Sequence, residues 1–96
     1  MLTPANKRYL KALANPIDRR YLLGKKEPDD GFYEVIDKAL EAHELIKVGL
    51  NQNAPMKAKD LGPIIAEHVH AELVQVIGRV IVLYRESSKN KKIILK

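Results

Sequence analysis

Apolar residues recur along the chain with two different spacings, and stretches of the two kinds alternate. Recurrence every three to four positions indicates helices, and short continuous apolar runs bounded by turn-forming residues indicate strands. The predicted helices cover residues 4–14, residues 29 or 30 to about 43, and residues 56 to about 71. The predicted strands cover residues 17–23, 45–50, 73–77 and 80–84.

Local signals mark several of these boundaries. Thr3-Pro4 predicts the start of the first helix, because a hydroxyl can cap a helix and proline fits its first position. Asn15-Pro16 ends that helix, since a residue before proline avoids the α region. Gly62-Pro63 interrupts the third helical pattern and favours either a kink or a later helix start.

The last two strands form the clearest local unit. They flank Gly78-Arg79, and glycine at the first position of a two-residue turn predicts a type II′ hairpin. Both strands are apolar at nearly every position, so we expect both to lie inside the sheet rather than at its edge.

The resulting order of elements is α-β-α-β-α-β-β. Helices between strands favour parallel pairing through right-handed crossovers, and the hairpin adds an antiparallel pair. We therefore predict an α/β fold with a small mixed four-stranded sheet and three helices, in one domain over residues 1–86. Residues 87–96 are predicted to form a basic tail that is solvated as far as Lys92. The apolar run Ile93-Ile94-Leu95 favours a short extra strand.

Length and composition narrow the class of protein. The chain has 96 residues, of which 46% are hydrophobic, so it suits one folded domain with a modest core. It contains no cysteine, no apolar run of the roughly 18 residues that a membrane span needs, and no N-terminal apolar stretch of signal-peptide length. We expect a soluble cytoplasmic protein with no membrane partner.

Charge is segregated along the chain. Residues 1–26 carry seven lysines and arginines against one acid, whereas residues 27–46 carry seven acids against one lysine. The last residues are basic again, and the formal net charge is +5. Segregated positive charge favours a polyanion such as nucleic acid as the partner, although ordinary solvated surface has the same composition.

Catalytic patterns are weak. The hydroxyl-bearing residues Thr3, Ser87 and Ser88 have no histidine near them in sequence, so a nucleophile with its base finds little support. His68 and His70 are two apart on a predicted helix and would not face a common metal ion. We expect no enzymatic activity, no metal, no cofactor and no small-molecule substrate.

The stretch Gly24-Lys25-Lys26 lies where the first predicted strand gives way to a helix. Ligands of α/β proteins favour the carboxyl ends of strands, glycine lets the backbone approach a phosphate, and lysine neutralises it. Glu27, Asp29 and Asp30 follow directly, and these acids can themselves complement the helix dipole. The loop therefore suits phosphate in its first half and opposes it in its second.

Two segments carry a family resemblance. Residues 10–48 read LKALANPIDRRYLLGKKEPDDGFYEVIDKALEAHELIKV, and residues 74–85 read VQVIGRVIVLYR. Together they resemble the CRM-domain family (chloroplast RNA splicing and ribosome maturation) in its stand-alone bacterial YhbY form, and HELIKV and IGRVIVLYR are the most specific parts. The resemblance implies an α-β-α-β-α-β-β domain similar to the C-terminal domain of a translation initiation factor. It also implies RNA binding and association with precursors of the large ribosomal subunit (pre-50S), without enzymatic activity.

The family carries a GxxG loop after its first strand, likened to the RNA-clamping loop of KH domains. Gly24 matches the first glycine, Lys25 and Lys26 match the variable pair, and Glu27 stands in place of the second glycine. A side chain at this position restricts the backbone, and a carboxylate repels phosphate.

Two hypotheses follow. The first is an RNA-binding protein of ribosome assembly that holds phosphates of ribosomal RNA or of pre-ribosomal particles. Its expected contact residues are Lys7, Arg8, Lys11, Arg19, Arg20, Gly24, Lys25, Lys26, Arg79 and Arg85. The second is a protein-interaction module in which the acidic second helix meets a basic partner such as a ribosomal protein. Its expected contact residues are Glu34, Asp37, Glu41 and Glu44.

Overall fold

The computed structural model describes residues 2–18, 20–89 and 91–95. Within them lie helices α1 (Pro4–Ala14), α2 (Asp30–His43) and α3 (Ala58–His68), and strands β1 (Tyr21–Leu23), β2 (Leu45–Leu50), β3 (Glu72–Ile77) and β4 (Val80–Tyr84). This order confirms the predicted α/β class with a four-stranded sheet and three helices. Within the described ranges no helix is both long enough and apolar enough to cross a membrane.

The sheet is mixed, with strand order β1-β2-β4-β3. β1 pairs in parallel with β2, and β4 pairs antiparallel with both β2 and β3. The prediction that both hairpin strands lie inside the sheet is correct for β4 and wrong for β3, which forms an edge. β3 is apolar because α1 contacts one of its faces and α3 the other, so an edge strand still buries residues such as Val74.

The hairpin turn has the predicted geometry at its glycine. Gly78 takes φ +56, the left-handed sign that a type II′ turn needs at its first position and that glycine adopts without strain.

Helix starts follow the sequence signals. The side chain of Thr3 accepts a hydrogen bond from the Asn6 N–H at 3.1 Å, and the Asp29 carboxylate accepts one from the Phe32 N–H at 2.8 Å. Each therefore satisfies one of the N–H groups that a first helical turn leaves without an intrahelical partner. β1 is shorter than the predicted strand over 17–23, because Ile17 instead packs in the loop after α1.

The Gly62-Pro63 pair lies inside α3, which begins later than predicted and ends earlier. Pro63 is on the exposed side of the helix. Gly62 is buried against β3, and a Cβ there would come within 3.2 Å of Leu73 Cδ1. The absent side chain therefore lets α3 approach the sheet closely.

Two apolar clusters lie on opposite faces of the sheet. The larger cluster joins α2 and α3 to one face, with Ile36, Leu40 and Ile65 fully buried. The smaller cluster joins α1 to the other face, with Leu10 packed among Leu45, Val74, Val82 and Tyr84. One face is thus covered by two helices and the other by α1 alone.

The C-terminal segment (residues 87–89 and 91–95) is anchored through its backbone, although Ser88, Lys89, Lys91 and Lys92 are exposed, as expected. Ser87 is buried, and the buried carboxylate of Glu44 accepts the backbone N–H groups of Ser87, Lys92 and Ile93 at 2.5 to 2.8 Å. Ile93 and Leu95 pack against the α1 cluster. No strand forms over residues 91–95, because a side chain rather than a neighbouring strand satisfies these N–H groups.

Glu44 also ends α2 with φ +64, a conformation that usually favours glycine. Burial opposes ionisation of its carboxyl, but the three N–H donors and Lys91 outweigh this effect and lower its pKa below the ordinary 4.5. The ionised form is therefore the one that holds the C-terminal segment.

We expect Glu44→Gln to lower the free energy of unfolding at neutral pH by about 1–3 kcal/mol, because an amide presents its own N–H donors to backbone donors. A lowered folded-state pKa gives stability that is present above the unfolded value and is lost as pH falls through the folded one. The stability of the variant should therefore approach that of wild type only as pH falls below the ordinary 4.5 and through the lowered pKa of Glu44 in the folded state.

The measurement is thermal or urea unfolding as a function of pH for wild type, Glu44→Gln and the control Glu34→Gln. Glu34 is an exposed partner of Lys38, and its loss should change stability little. Equal pH profiles for the two variants would contradict the role assigned to Glu44.

Candidate nucleic-acid interface

The face of the sheet that carries α1 is covered at one end only. Leu45 lies beneath α1, and alternation along β2 places Lys47 and Gly49 on the same face, further from the helix. Gly49 pairs with Val80, which pairs with Ile77, and a Cβ on Gly49 would lie 3.1 Å from Leu22 Cδ2.

This uncovered part of the sheet is accessible to solvent on its two edge strands, whereas Gly49 between them is buried and Lys47 is half-buried. Leu22 is 77% exposed and Ile77 is 54% exposed, while Val80 is half-buried. We call the region formed by Leu22, Lys47, Gly49, Ile77 and Val80 the open face.

Two cations belong to the open face itself. The Arg20 side chain lies beside Gly49, with its Cδ 3.5 Å from the position of a Cβ there, and it is exposed. Lys47 projects from the middle of β2 on the same side. Arg20 was predicted from the sequence as a contact residue, whereas Lys47 was not, because the face on which a lysine of an apolar strand lies is known only once the helices that cover the sheet are known.

Helix α1 presents further cations toward this region. Leu10 and Ala14 point into the core, and Ala5 and Tyr9 border Ile94 of the C-terminal segment on one flank. Successive helical residues turn by roughly 100°, so Lys7 and Lys11 lie on the opposite flank. The C-terminal segment adjoins the start of β2 near Leu45, so this opposite flank faces the open face. Arg8 is exposed beside it.

Two more cationic segments meet at the carboxyl end of β1. The Asn51 N–H donates to the Leu23 carbonyl at 3.0 Å, and the Leu50 N–H donates to the Arg79 carbonyl at 2.8 Å. These bonds bring the loop after β1 and the hairpin turn to the same end of the sheet. Gly24, Lys25 and Lys26 are exposed there, as is Arg79.

The loop after β1 imposes little demand for glycine. A Cβ on Gly24 would meet no atom within 4 Å, and the non-glycine residues at positive φ in the described chain are Glu44 and His70, not Glu27. Glu27 therefore sits in the place of the second loop glycine without backbone strain, and its effect reduces to its exposed negative charge. Asp29 already caps α2, and Asp30 lies in its first turn.

Among the described residues, the cations of this region have no acidic partners. Over residues 2–18, 20–89 and 91–95, ion pairs join Lys38 to Glu34, Lys91 to Glu86, and Arg85 to acids of α2. None involves the cations around the open face, which are Lys7, Arg8, Lys11, Arg20, Lys25, Lys26, Lys47 and Arg79. Unpaired cations gathered on one surface attract polyanions.

Arg85 differs from the other predicted contact residues. Its guanidinium donates to the Asp37 carboxylate at 2.6 Å, to the Val69 carbonyl at 2.8 Å and to the Asp37 carbonyl at 2.9 Å. Its side chain is 19% exposed and ties the end of β4 to α2 and α3, away from the open face. Arg19 lies outside the described residues.

The acids of α2 are largely occupied within the molecule. Asp37 pairs with Arg85, Glu44 is buried, and Glu41 accepts hydrogen bonds from Ser87 and Ser88. The Ser88 hydroxyl and N–H are the main cause of the lowered pKa of Glu41. His68 stacks on Tyr33 with ring centroids 3.6 Å apart, and no cluster of three metal-binding side chains occurs among the described residues.

Known proteins are similar to this chain in sequence and in fold. The chain is 40% identical over 93 residues to the Bacillus subtilis protein named "Probable RNA-binding protein YqeI", covering 97% of each. It is 37% identical over 92 residues to a Haemophilus influenzae protein named "RNA-binding protein", covering 94% of this chain and 91% of the relative. A Staphylococcus aureus protein solved in solution superposes with a TM-score of 0.83 at 46% identity over the whole of both chains.

The family model of the CRS1 / YhbY (CRM) domain matches residues 2–85, which span all seven elements of the fold. The match confirms the resemblance seen in the sequence. The chain belongs to the CRM-domain family.

Proposed function

We propose that this protein binds RNA through the open face and the cations that surround it. The observation that carries the proposal is the gathering of eight cations, unpaired among the described residues, from α1, β2, the approach to β1 and two loops around one uncovered region of the sheet. Two relatives that carry the names "Probable RNA-binding protein YqeI" and "RNA-binding protein" support it.

Contacts to the sugar-phosphate backbone account best for this surface. Lysine and arginine neutralise phosphates and release counterions, which supplies affinity without reading sequence. The exposed apolar residues on the open face are aliphatic, namely Leu22, Ile77 and the half-buried Val80. Proteins that read single-stranded bases on a sheet use aromatic stacking there. Shape and charge should therefore decide which RNA binds.

The finer proposal is that the RNA is structured ribosomal RNA, within precursors of the large ribosomal subunit in the cytoplasm, and that the protein assists assembly without catalysing a reaction. Family resemblance and the preference for backbone contacts support this proposal. Crosslinking in cells followed by sequencing of the bound RNA tests it, and recovery of messenger RNA alone would overturn the ribosomal part.

The alternative partner, a basic protein on α2, has less support. Asp37, Glu41 and Glu44 are engaged by Arg85 and by the C-terminal segment, although Glu34 and Asp37 keep exposed carboxylates. Fewer acids of α2 are therefore free for a basic partner than the sequence suggests. A pull-down of ribosomal proteins that persists after ribonuclease treatment would favour this alternative.

Removing cations should weaken RNA binding and flatten its dependence on salt. We expect Lys25→Gln/Lys26→Gln and Lys7→Gln/Lys11→Gln each to lower affinity for a ribosomal RNA hairpin. The slope of log affinity against log salt should fall by about 0.7–0.9 for each phosphate that the variant no longer neutralises. Fluorescence anisotropy across a salt series measures both quantities.

The matched control is Lys38→Gln/Lys89→Gln, which removes the same charge from surfaces away from the open face. It should change affinity much less than either test pair. Equal losses of affinity in all three double variants would show that net charge, rather than this surface, determines binding.

Substitution of Glu27 tests the loop after β1. If the loop contacts phosphate, Glu27→Gly and Glu27→Gln should both strengthen binding by about two- to fivefold, because each removes one exposed like charge. The two variants should gain similar affinity, since Glu27 does not have a positive φ and its backbone carries no strain that glycine would relieve. Glu34→Gln on α2 serves as the control. Unchanged affinity in both loop variants, with weaker binding in Arg20→Gln, would move the contact to the sheet and α1.

A further inference from the structure

A cavity of about 610 Å³ lies at the same end of the sheet as the loop after β1, but on the α3 side. Three cations line it, Lys57 and Lys59 at the start of α3 and Arg79 in the hairpin turn. No aspartate or glutamate is among its lining residues. Lys57 and Lys59 belong to none of the sites predicted from the sequence.

The cavity and the open face lie on opposite sides of one layer of sheet. Leu50 and Val76 line the cavity and belong to, or pack against, the cluster beneath α2 and α3. Val80 and Ile77 point to the open face. The Gly78-Arg79 turn is where the two surfaces meet, so a chain crossing this turn would pass from one to the other.

The chemistry of the cavity suits one nucleotide. Over the described residues, none of the three cations Lys57, Lys59 and Arg79 forms an ion pair, so all three can neutralise a phosphate. The Asn51 side-chain oxygen accepts the Asn53 N–H at 2.9 Å, which leaves the side-chain amide N–H groups of Asn51 directed elsewhere as donors. Pro55 and Met56 supply an apolar wall for a base or sugar. Pockets of about 300–1,000 Å³ hold ligands of this size.

We infer that this cavity binds a nucleotide of a single-stranded RNA segment that continues from the open face across the Gly78-Arg79 turn. The inference rests on the proposed function and adds the kind of RNA that the protein prefers, a folded RNA with an unpaired extension. A double helix cannot make both contacts, because duplexes resist bending over tens of nanometres, whereas the two surfaces are separated by one sheet layer. A single strand can follow the edge.

The test compares two RNAs on the full-length protein: a blunt hairpin, and the same hairpin with a single-stranded extension of about eight nucleotides, within the range that single-strand sites cover. The variant is Lys57→Gln/Lys59→Gln, and Lys38→Gln/Lys89→Gln is the control of equal charge. Wild type and the control should bind the extended RNA about five- to tenfold more tightly than the blunt one. The Lys57/Lys59 variant should bind both RNAs equally and keep wild-type affinity for the blunt hairpin.

The outcomes separate the two proposals. If the blunt hairpin fails to bind wild type, the proposed function fails. If the blunt hairpin binds but the extension adds nothing, or if its gain survives in the Lys57/Lys59 variant, the cavity inference fails and the open face stands. Thermal unfolding checks that the Lys57→Gln/Lys59→Gln variant is folded. This variant should be at least as stable as wild type, because both lysines lie at the start of α3, where positive charge opposes the helix dipole.

Discussion

The packing of α1 across one end of the sheet decides how the rest of the molecule can be used. Leu10 is fully buried among residues of β2, β3 and β4, and this one helix covers only part of its face. The opposite face is closed by α2 and α3 together. An uncovered region of sheet remains on the α1 side, and it contains Leu22 at 77% exposure. Both the basic flank of α1 and the cations beside β1 and on β2 border that region.

The C-terminal segment packs on the side of α1 that lies away from the open face. Glu44 accepts three backbone N–H groups from it, and Ile93 and Leu95 then pack against the α1 cluster. A buried carboxylate is costly unless it is well hydrogen-bonded, and here the bonds suffice to lower its pKa. The backbone of Glu44 has φ +64, a conformation that glycine adopts more easily. A glycine here would have no side chain to bind the C-terminal segment. The flank of α1 that adjoins the start of β2 is thereby occupied, which leaves the Lys7 and Lys11 flank for a partner.

The acidic side chains of α2 and the basic side chains around the open face differ in their contacts within the fold. The acids of α2 and its cap begin the helix, pair with Arg85 or hold the C-terminal segment, so most of them serve the structure itself. The cations around the open face have no such partners among the described residues. Most acids of α2 and its cap thus form contacts within the molecule, whereas the cations around the open face remain available to a partner. Glu27, an exposed acid within the basic loop, does not follow this pattern, and Asp60 and Glu67 of α3 are exposed acids as well.

The sequence by itself determined the order of elements and most of their boundaries, because periodicity, caps and turn residues act over a few neighbouring positions. It predicted the cations of α1 and of the loops as candidate contacts. It also carried the family resemblance. Tertiary structure alone decided that β3 is an edge strand, that Arg85 is an internal tie, and that Glu44 holds the C-terminal segment, since each depends on contacts between residues far apart in the chain. The structure also added three candidate residues, Lys47, Lys57 and Lys59. Their placement depends on tertiary structure because the other elements decide which face of a strand is uncovered and which residues line a cavity.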